Sequence, residues 1–311
     1  MLSSKLASPL VRQLSSSSSL SAPIKNVTII GAGLMGSGIA QVSAAEKLNV
    51  VLVDQNEDIL KKAKDGISAS LSRVAKKKFP DDKKAQALAV EETLSHLKTT
   101  TSTAEGVKDA DLVIEAIVEN LDVKLKLFAE VEKNAKSSAI LTSNTSSLRL
   151  ADIAVNIKNK SQFGGLHFFN PVPVMKLLEI VRHEETSEAT YNDLVAYGKK
   201  IGKTTVVCKD TPGFIVNRLL VPYMFEAMRL AERGDATPHD IDTAMKLGAG
   251  YPMGPFELSD YVGLDTTFFI GEVFRKAYPD NPLFAESPML KKLVKEGKLG
   301  RKNGEGFYKY K

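Results

Sequence analysis

The chain has 311 residues, 43% hydrophobic and 25% charged, which is the balance of a globular protein long enough for two domains with separate cores. The formal charge is +5, and Lys5, Arg12 and Lys25 supply three of those positives before the first acidic residue, Glu46; the remainder is nearly balanced and carries no nucleic-acid footprint. A single cysteine, Cys208, excludes an intrachain disulfide and a cysteine-clustered metal site, and four histidines without H-x-x-x-H spacing give no metal motif.

Residues 1–23 hold an unbroken serine run, Ser15 to Ser19, with basic residues and no acid, and so resemble a mitochondrial transit peptide. The other reading is a serine-rich tail with no address. No stretch approaches the apolar length of a membrane span.

The fold begins with Val27-Thr28-Ile29-Ile30, four β-branched residues that read as a buried strand. Gly31-Ala32-Gly33-Leu34-Met35-Gly36 follows and opens a helix. In such a turn the first glycine allows the sharp bend, the second lets a pyrophosphate touch the backbone, and the third lets helix and strand pack closely. The helix N-terminus then offers free N–H groups to the phosphates. A second strand, Val50 to Val53, ends in Asp54, 18 residues after Gly36. A carboxylate there accepts from the ribose hydroxyls and repels a 2′-phosphate, which favours NAD over NADP.

Glu57 to Lys78 has helical periodicity, Phe79-Pro80 breaks it, and Lys83 to Leu97 reads as a second helix. The pair looks like a charged helical hairpin inserted into a βαβ unit. Ser70, Arg73 and Lys76 to Lys78 lie on or near its first helix. The ordinary fate of such a run is a solvated basic face; a docking surface for an anionic substrate tail is the sharper alternative.

Strand character returns over Asp111 to Glu119, a helix covers Phe128 to Ala135, and Ala139 to Thr142 is the next strand, opening into Ser143-Asn144-Thr145-Ser146-Ser147. Ligands collect outside the carboxyl ends of parallel strands, so Glu119, Lys124 and this hydroxyl cluster should border one crevice. Ser146 or Ser147 could equally cap a helix starting near Leu148. Next, Gly164 to Phe169 and Lys176 to Val181 flank the turn Asn170-Pro171-Val172-Pro173. If they pair antiparallel about Pro173, His167 faces Glu179. A carboxylate on one imidazole nitrogen fixes the tautomer and leaves the other as a base. A lone histidine in an apolar strand is ordinarily a core residue; a glutamate facing it reverses that, because burying an unpaired carboxylate is costly.

Thr204 to Val207 is one more strand, and Cys208 beside it reads as a buried small hydrophobe. The boundary falls at 209–210. Beyond it the pattern is all-helical: Phe214 to Arg233, a helix from Thr237-Pro238, then helices near 257–262, 265–277 and 288–296. Asn217 is the polar exception at the start of this region. It either reaches the crevice across the boundary or bonds a neighbouring turn.

These motifs, with Thr211-Pro212-Gly213-Phe214-Ile215-Val216-Asn217-Arg218 and Gly304-Glu305-Gly306-Phe307-Tyr308, resemble the short-chain L-3-hydroxyacyl-CoA dehydrogenases of mitochondrial β-oxidation, from about Ile24 to Lys311. The resemblance implies a Rossmann-type NAD-binding domain at 24–209 with an inserted helical hairpin, and an all-α substrate and dimerisation domain at 210–311. It implies that His167 is the catalytic base, oriented by Glu179, and that Ser146 and Asn217 hold the reacting oxygen. It implies NAD contacts at the glycine turn, Asp54, Glu119, Lys124, Ser146, Asn170 and Lys302, and contacts to the CoA moiety at Ser70 and Lys77. It further implies hydride transfer from substrate C3 to NAD, a homodimer and a matrix location. A dehydrogenase of another hydroxy acid, or a silent crystallin-like relative, are the competing readings.

Overall fold

The computed structural model describes residues 23–310. The leader segment, but for its last residue, lies outside the described residues.

β1 (Asn26–Ile30) runs through the glycine turn into α1 (Leu34–Ala45), and β2 (Asn49–Val53) follows. Asn56 and Asp82 cap α2 (Glu57–Lys78) and α3 (Lys83–Ser95), each side chain accepting an N–H of the first turn. The second helix does not reach Leu97. It stops at Ser95, and Leu97–Thr100 forms a strand, β3, paired in parallel with β2. The helical pair is therefore the crossover between the parallel neighbours β2 and β3, a hairpin where a plain βαβ unit has one helix.

A short helix not anticipated from sequence, α4 (Thr103–Val107), precedes β4 (Leu112–Glu115). Then come α5 (Leu121–Asn134), β5 (Ile140–Ser143), the short α6 (Leu150–Ile153), β6 (Phe163–Phe168), β7 (Leu177–Arg182), the unanticipated α7 (Glu188–Lys200) and β8 (Thr204–Lys209). β4 ends at Glu115, so Glu119 belongs to the loop beyond it rather than to the strand.

Among the described residues, eight strands form one sheet in the order β3-β2-β1-β4-β5-β6-β7-β8. All neighbours are parallel except β6 and β7. The order reverses between β1 and β4, the switch point where doubly wound sheets open a ligand crevice. Alternate residues of each strand feed two cores. Val27, Ile29, Leu52, Ile114 and Leu166 pack under α1, α2 and α7; Ile30, Val53, Val113, Leu141 and Phe163 pack under α5 and α6. β8 is an edge strand, so Cys208 is only half-buried rather than a core residue. Burial still pushes its thiol up to about 12.

The C-terminal part is helical: α8 (Val216–Glu232), α9 (Pro238–Ala249), α10 (Pro255–Val262), α11 (Leu264–Ala277) and α12 (Pro288–Lys295). It has a third core, with Phe225, Met228, Phe256, Phe274 and Phe284 at its centre. Asp242 and Asp260 are buried beneath it and accept the hydroxyls of Tyr308 and Tyr310, which pins the chain's end to this unit.

Candidate active site

The glycine turn has the geometry that its sequence demands. Gly31 has φ +106, a conformation that a side chain disfavours. A Cβ on Gly36 would fall 1.7 Å from the carbonyl oxygen of Gly31, so helix and turn touch backbone to backbone. A Cβ on Gly33 would meet nothing within 4 Å: this position faces open space. Gly33 is also the N-cap of α1, gives no side-chain cap, and no acid follows in the first turn. An uncapped, unopposed helix N-terminus suits a phosphate. Asp54, just past β2, accepts the N–H of Ala32 at 2.8 Å with one carboxylate oxygen. The residues present thus fit a dinucleotide.

β6 and β7 pair in the expected register, with His167 opposite Glu179. Glu179 has no exposed surface and His167 is 3% exposed. Glu179 Oε2 lies 2.7 Å from His167 Nδ1. Its Oε1 accepts the N–H groups of Ile215 and Val216 at 3.2 and 2.9 Å, at the start of α8. A carboxylate used this way is an acceptor on both oxygens, so Nδ1 of His167 carries the hydrogen and Nε2 is free to act as a base. Ser146 Oγ is 3.1 Å from that Nε2. Phe169 and Phe214 pack against the ring, with centroids 4.6 and 5.3 Å away. Phe214 has φ +51, a strained value for a non-glycine residue, directly after Gly213 at the domain junction.

Ser146 sits in a turn gathered by one acid. Glu119 Oε1 accepts the Thr145 hydroxyl and the N–H groups of Ser146 and Ser147, the latter two at 3.0 Å. Burial pushes the Glu119 carboxyl up, but Lys124 and these hydrogen bonds outweigh it and hold the group below the ordinary glutamate range. Neither Ser146 nor Ser147 caps the next helix. α6 starts at Leu150, and its first N–H groups go to Asp210, 60 residues away.

Lys124 does not border the crevice as an open cation. It is buried, with its ammonium 2.6 Å from Glu115 and 3.0 Å from Glu119. Asn170 is exposed just beyond β6, and Asn217 is half-buried in the first turn of α8; neither side-chain amide makes a hydrogen bond among the described residues. Lys302 is ion-paired with Asp265 in the helical unit. Ser70 and Lys77 lie two turns apart along α2, half-buried and exposed respectively. Glu115 was missed from sequence. It stands in the apolar run Leu112-Val113-Ile114, where the cost of burying an unpaired carboxylate already called for a partner.

The residues gathered here all lie at one edge. The glycine turn follows β1, Asp54 follows β2, Glu119 follows β4, Ser146 follows β5, and His167 ends β6. The loop after β6 lies against α1: a Cβ on Gly38 would come within 2.7 Å of Val172. The glycine turn and the buried, carboxylate-held imidazole therefore stand at the same edge of one sheet.

Comparison with known proteins identifies the family. Residues 26–211 match the family model described as 3-hydroxyacyl-CoA dehydrogenase, NAD binding domain, and residues 213–310 match the C-terminal domain of that family. A probable 3-hydroxyacyl-CoA dehydrogenase of Caenorhabditis elegans is 68% identical over 97% of both chains. The mitochondrial hydroxyacyl-coenzyme A dehydrogenase of Homo sapiens is 59% identical over 97% of this chain and 98% of its own. The crystal structure of an (S)-3-hydroxybutyryl-CoA dehydrogenase from Ralstonia eutropha superposes with a TM-score of 0.87 at 38% identity, over 93% of this chain and 99% of that one. The chain belongs to the 3-hydroxyacyl-CoA dehydrogenase family, whose members are NAD-dependent oxidoreductases.

Proposed function

We propose that this protein oxidises L-3-hydroxyacyl-CoA to 3-ketoacyl-CoA with His167 as the general base, Glu179 as its orienting partner, and Ser146 and Asn217 as holders of the reacting oxygen. The observation that carries the reading is the line Glu179–His167–Ser146, linked at 2.7 and 3.1 Å at the same sheet edge as the glycine turn. Nε2 of His167 takes the hydroxyl proton, and the carboxylate of Glu179 stabilises the imidazolium that results. The Ser146 hydroxyl and the uncommitted Asn217 amide orient the oxygen, and Phe169 and Phe214 keep water from the ring. Bound NAD supplies the hydride acceptor for C3.

The glycine turn, Asp54, Glu119, Ser146 and Asn170 form the cofactor wall, to which the exposed Leu34 and Val118 add apolar surface for a planar base. Lys302 and Lys124 belong to the same wall by resemblance, Lys124 acting from below it. Ser70 and Lys77 receive the CoA moiety on α2. Residues 24–209 are the cofactor unit and residues 210–311 the substrate and dimerisation unit. Leu219, Leu247, Tyr251 and Phe269 expose apolar surface on that helical unit, which supports a homodimer. The serine-rich leader and the mitochondrial relatives support a matrix enzyme. A substrate panel tests the activity: NADH should form from 3-hydroxybutyryl-CoA and not from free 3-hydroxybutyrate or 3-hydroxyisobutyrate. The reverse preference would overturn the substrate assignment.

A further inference from the structure

Glu115 has no exposed surface, so it touches no ligand, yet two of the three groups that its carboxylate accepts lead toward Ser146. Its Oε1 takes the Lys124 ammonium at 2.6 Å and the Ile117 N–H at 2.8 Å. Its Oε2 takes the Ser143 hydroxyl at 2.6 Å. From there two arms run to one turn. In the first, Lys124 holds Glu119 at 3.0 Å, and Glu119 gathers the Thr145 hydroxyl and the N–H groups of Ser146 and Ser147. In the second, the Ser143 oxygen accepts the Thr145 N–H at 3.1 Å.

We infer that Glu115 is a positioning residue for the reaction, fixing the Ser146 hydroxyl against His167 Nε2 from beneath through Lys124–Glu119 and through Ser143. A buried ion pair is a poor source of stability but a strict specifier of geometry, since each lone pair and proton has one satisfactory partner. Lys124 accordingly contributes through Glu119. The inference rests on the reading of Ser146 as a group that meets the reacting oxygen.

The test uses the full-length protein with acetoacetyl-CoA and NADH, and compares Glu115→Gln, Ser146→Ala and the double variant. Glu115→Gln keeps the shape and the acceptor oxygen while removing the charge. Its kcat should fall about tenfold or more, because small misplacements of a reacting group are expensive, while the KM for NADH, whose wall includes Glu119, rises by a smaller factor. In the Ser146→Ala background the same substitution should change kcat less than about twofold, because the group that it positions is already gone. Should Glu115→Gln not fold, Ser143→Ala cuts the second arm without burying a charge and should show the same dependence on Ser146. A loss of kcat that multiplies undiminished in the double variant, or a defect confined to the NADH KM, overturns the inference while leaving the Ser146 reading intact. Full activity in Ser146→Ala alone overturns both.

Discussion

Glu179 holds His167 with one oxygen and the start of α8 with the other, at 2.7 Å to the imidazole and 2.9 Å to the Val216 N–H. The same carboxylate thus sets the tautomer of His167 and anchors the helix that carries Asn217. The N-terminus of α8 in turn stabilises the charge that the imidazole needs. Orientation of the base and docking of the helical unit are one structural event.

Glu179→Gln should therefore damage both at once. A carboxamide cannot accept on both sides, so one partner, the imidazole or the α8 amides, loses its acceptor. We expect kcat to fall by about tenfold to a hundredfold and stability by about 1–3 kcal/mol. Steady-state kinetics and urea unfolding on the same preparation check this; an effect on rate without any effect on stability would separate the two roles.

The glycines of the turn make opposite predictions. Gly36→Ala would place a methyl 1.7 Å from the Gly31 carbonyl oxygen, so the turn must break and the protein should lose stability and soluble yield. Gly33→Ala meets open space in the protein and should fold normally, but its methyl occupies the approach of the pyrophosphate, so NADH affinity should fall at least about tenfold. Thermal melts and NADH fluorescence distinguish them.

Glu119 gives a pH dependence with a definite sign. Its carboxyl is held below the ordinary glutamate value of 4.5, so the unfolded chain takes up the proton first as the pH falls. Its contribution to stability is present in full above that value and is lost as the pH drops through the lowered folded value. Glu119→Gln should be less stable than wild type at neutral pH, and the gap should narrow below about pH 4. Urea midpoints across pH 3–7 measure it; a gap that widens in acid would contradict the assignment.

Lys203 clamps the loop that carries Asn170. Buried behind β8, its ammonium donates to the carbonyls of Val172 and Met175 at 2.5 and 2.7 Å, while burial, with Lys176 nearby, pushes its pKa down. Lys203→Met should free this loop, raise the KM for NAD several-fold and leave kcat within about threefold of wild type. Hydrogen exchange over residues 169–176 should rise in parallel.

The sequence makes some of this legible and hides the rest for physical reasons. The His167–Glu179 pairing could be read because both residues interrupt apolar strands and a proline turn fixes their register. The glycine turn and Asp54 could be read because each requirement is local. β3 was hidden because only Leu97 of its four residues is buried, leaving no alternation to see. Asp210 as the cap of α6 was hidden by a 60-residue separation. Lys124 looked like a crevice cation because the apolar run before Glu115 calls for a partner without naming which cation, nine residues on, is buried beside it. Phe214, whose ring lies against His167, looked like an ordinary helix residue, since the left-handed backbone that aims it is set by the Gly213 junction.

The central claim is that one buried imidazole moves the proton. The measurement that tests it most directly is acetoacetyl-CoA reduction by NADH in His167→Gln, with NADH binding titrated on the same sample. The rate should fall by about 10²–10⁴-fold while NADH still binds with near wild-type affinity. A variant that binds NADH and turns over within a few-fold of the wild-type rate would contradict it.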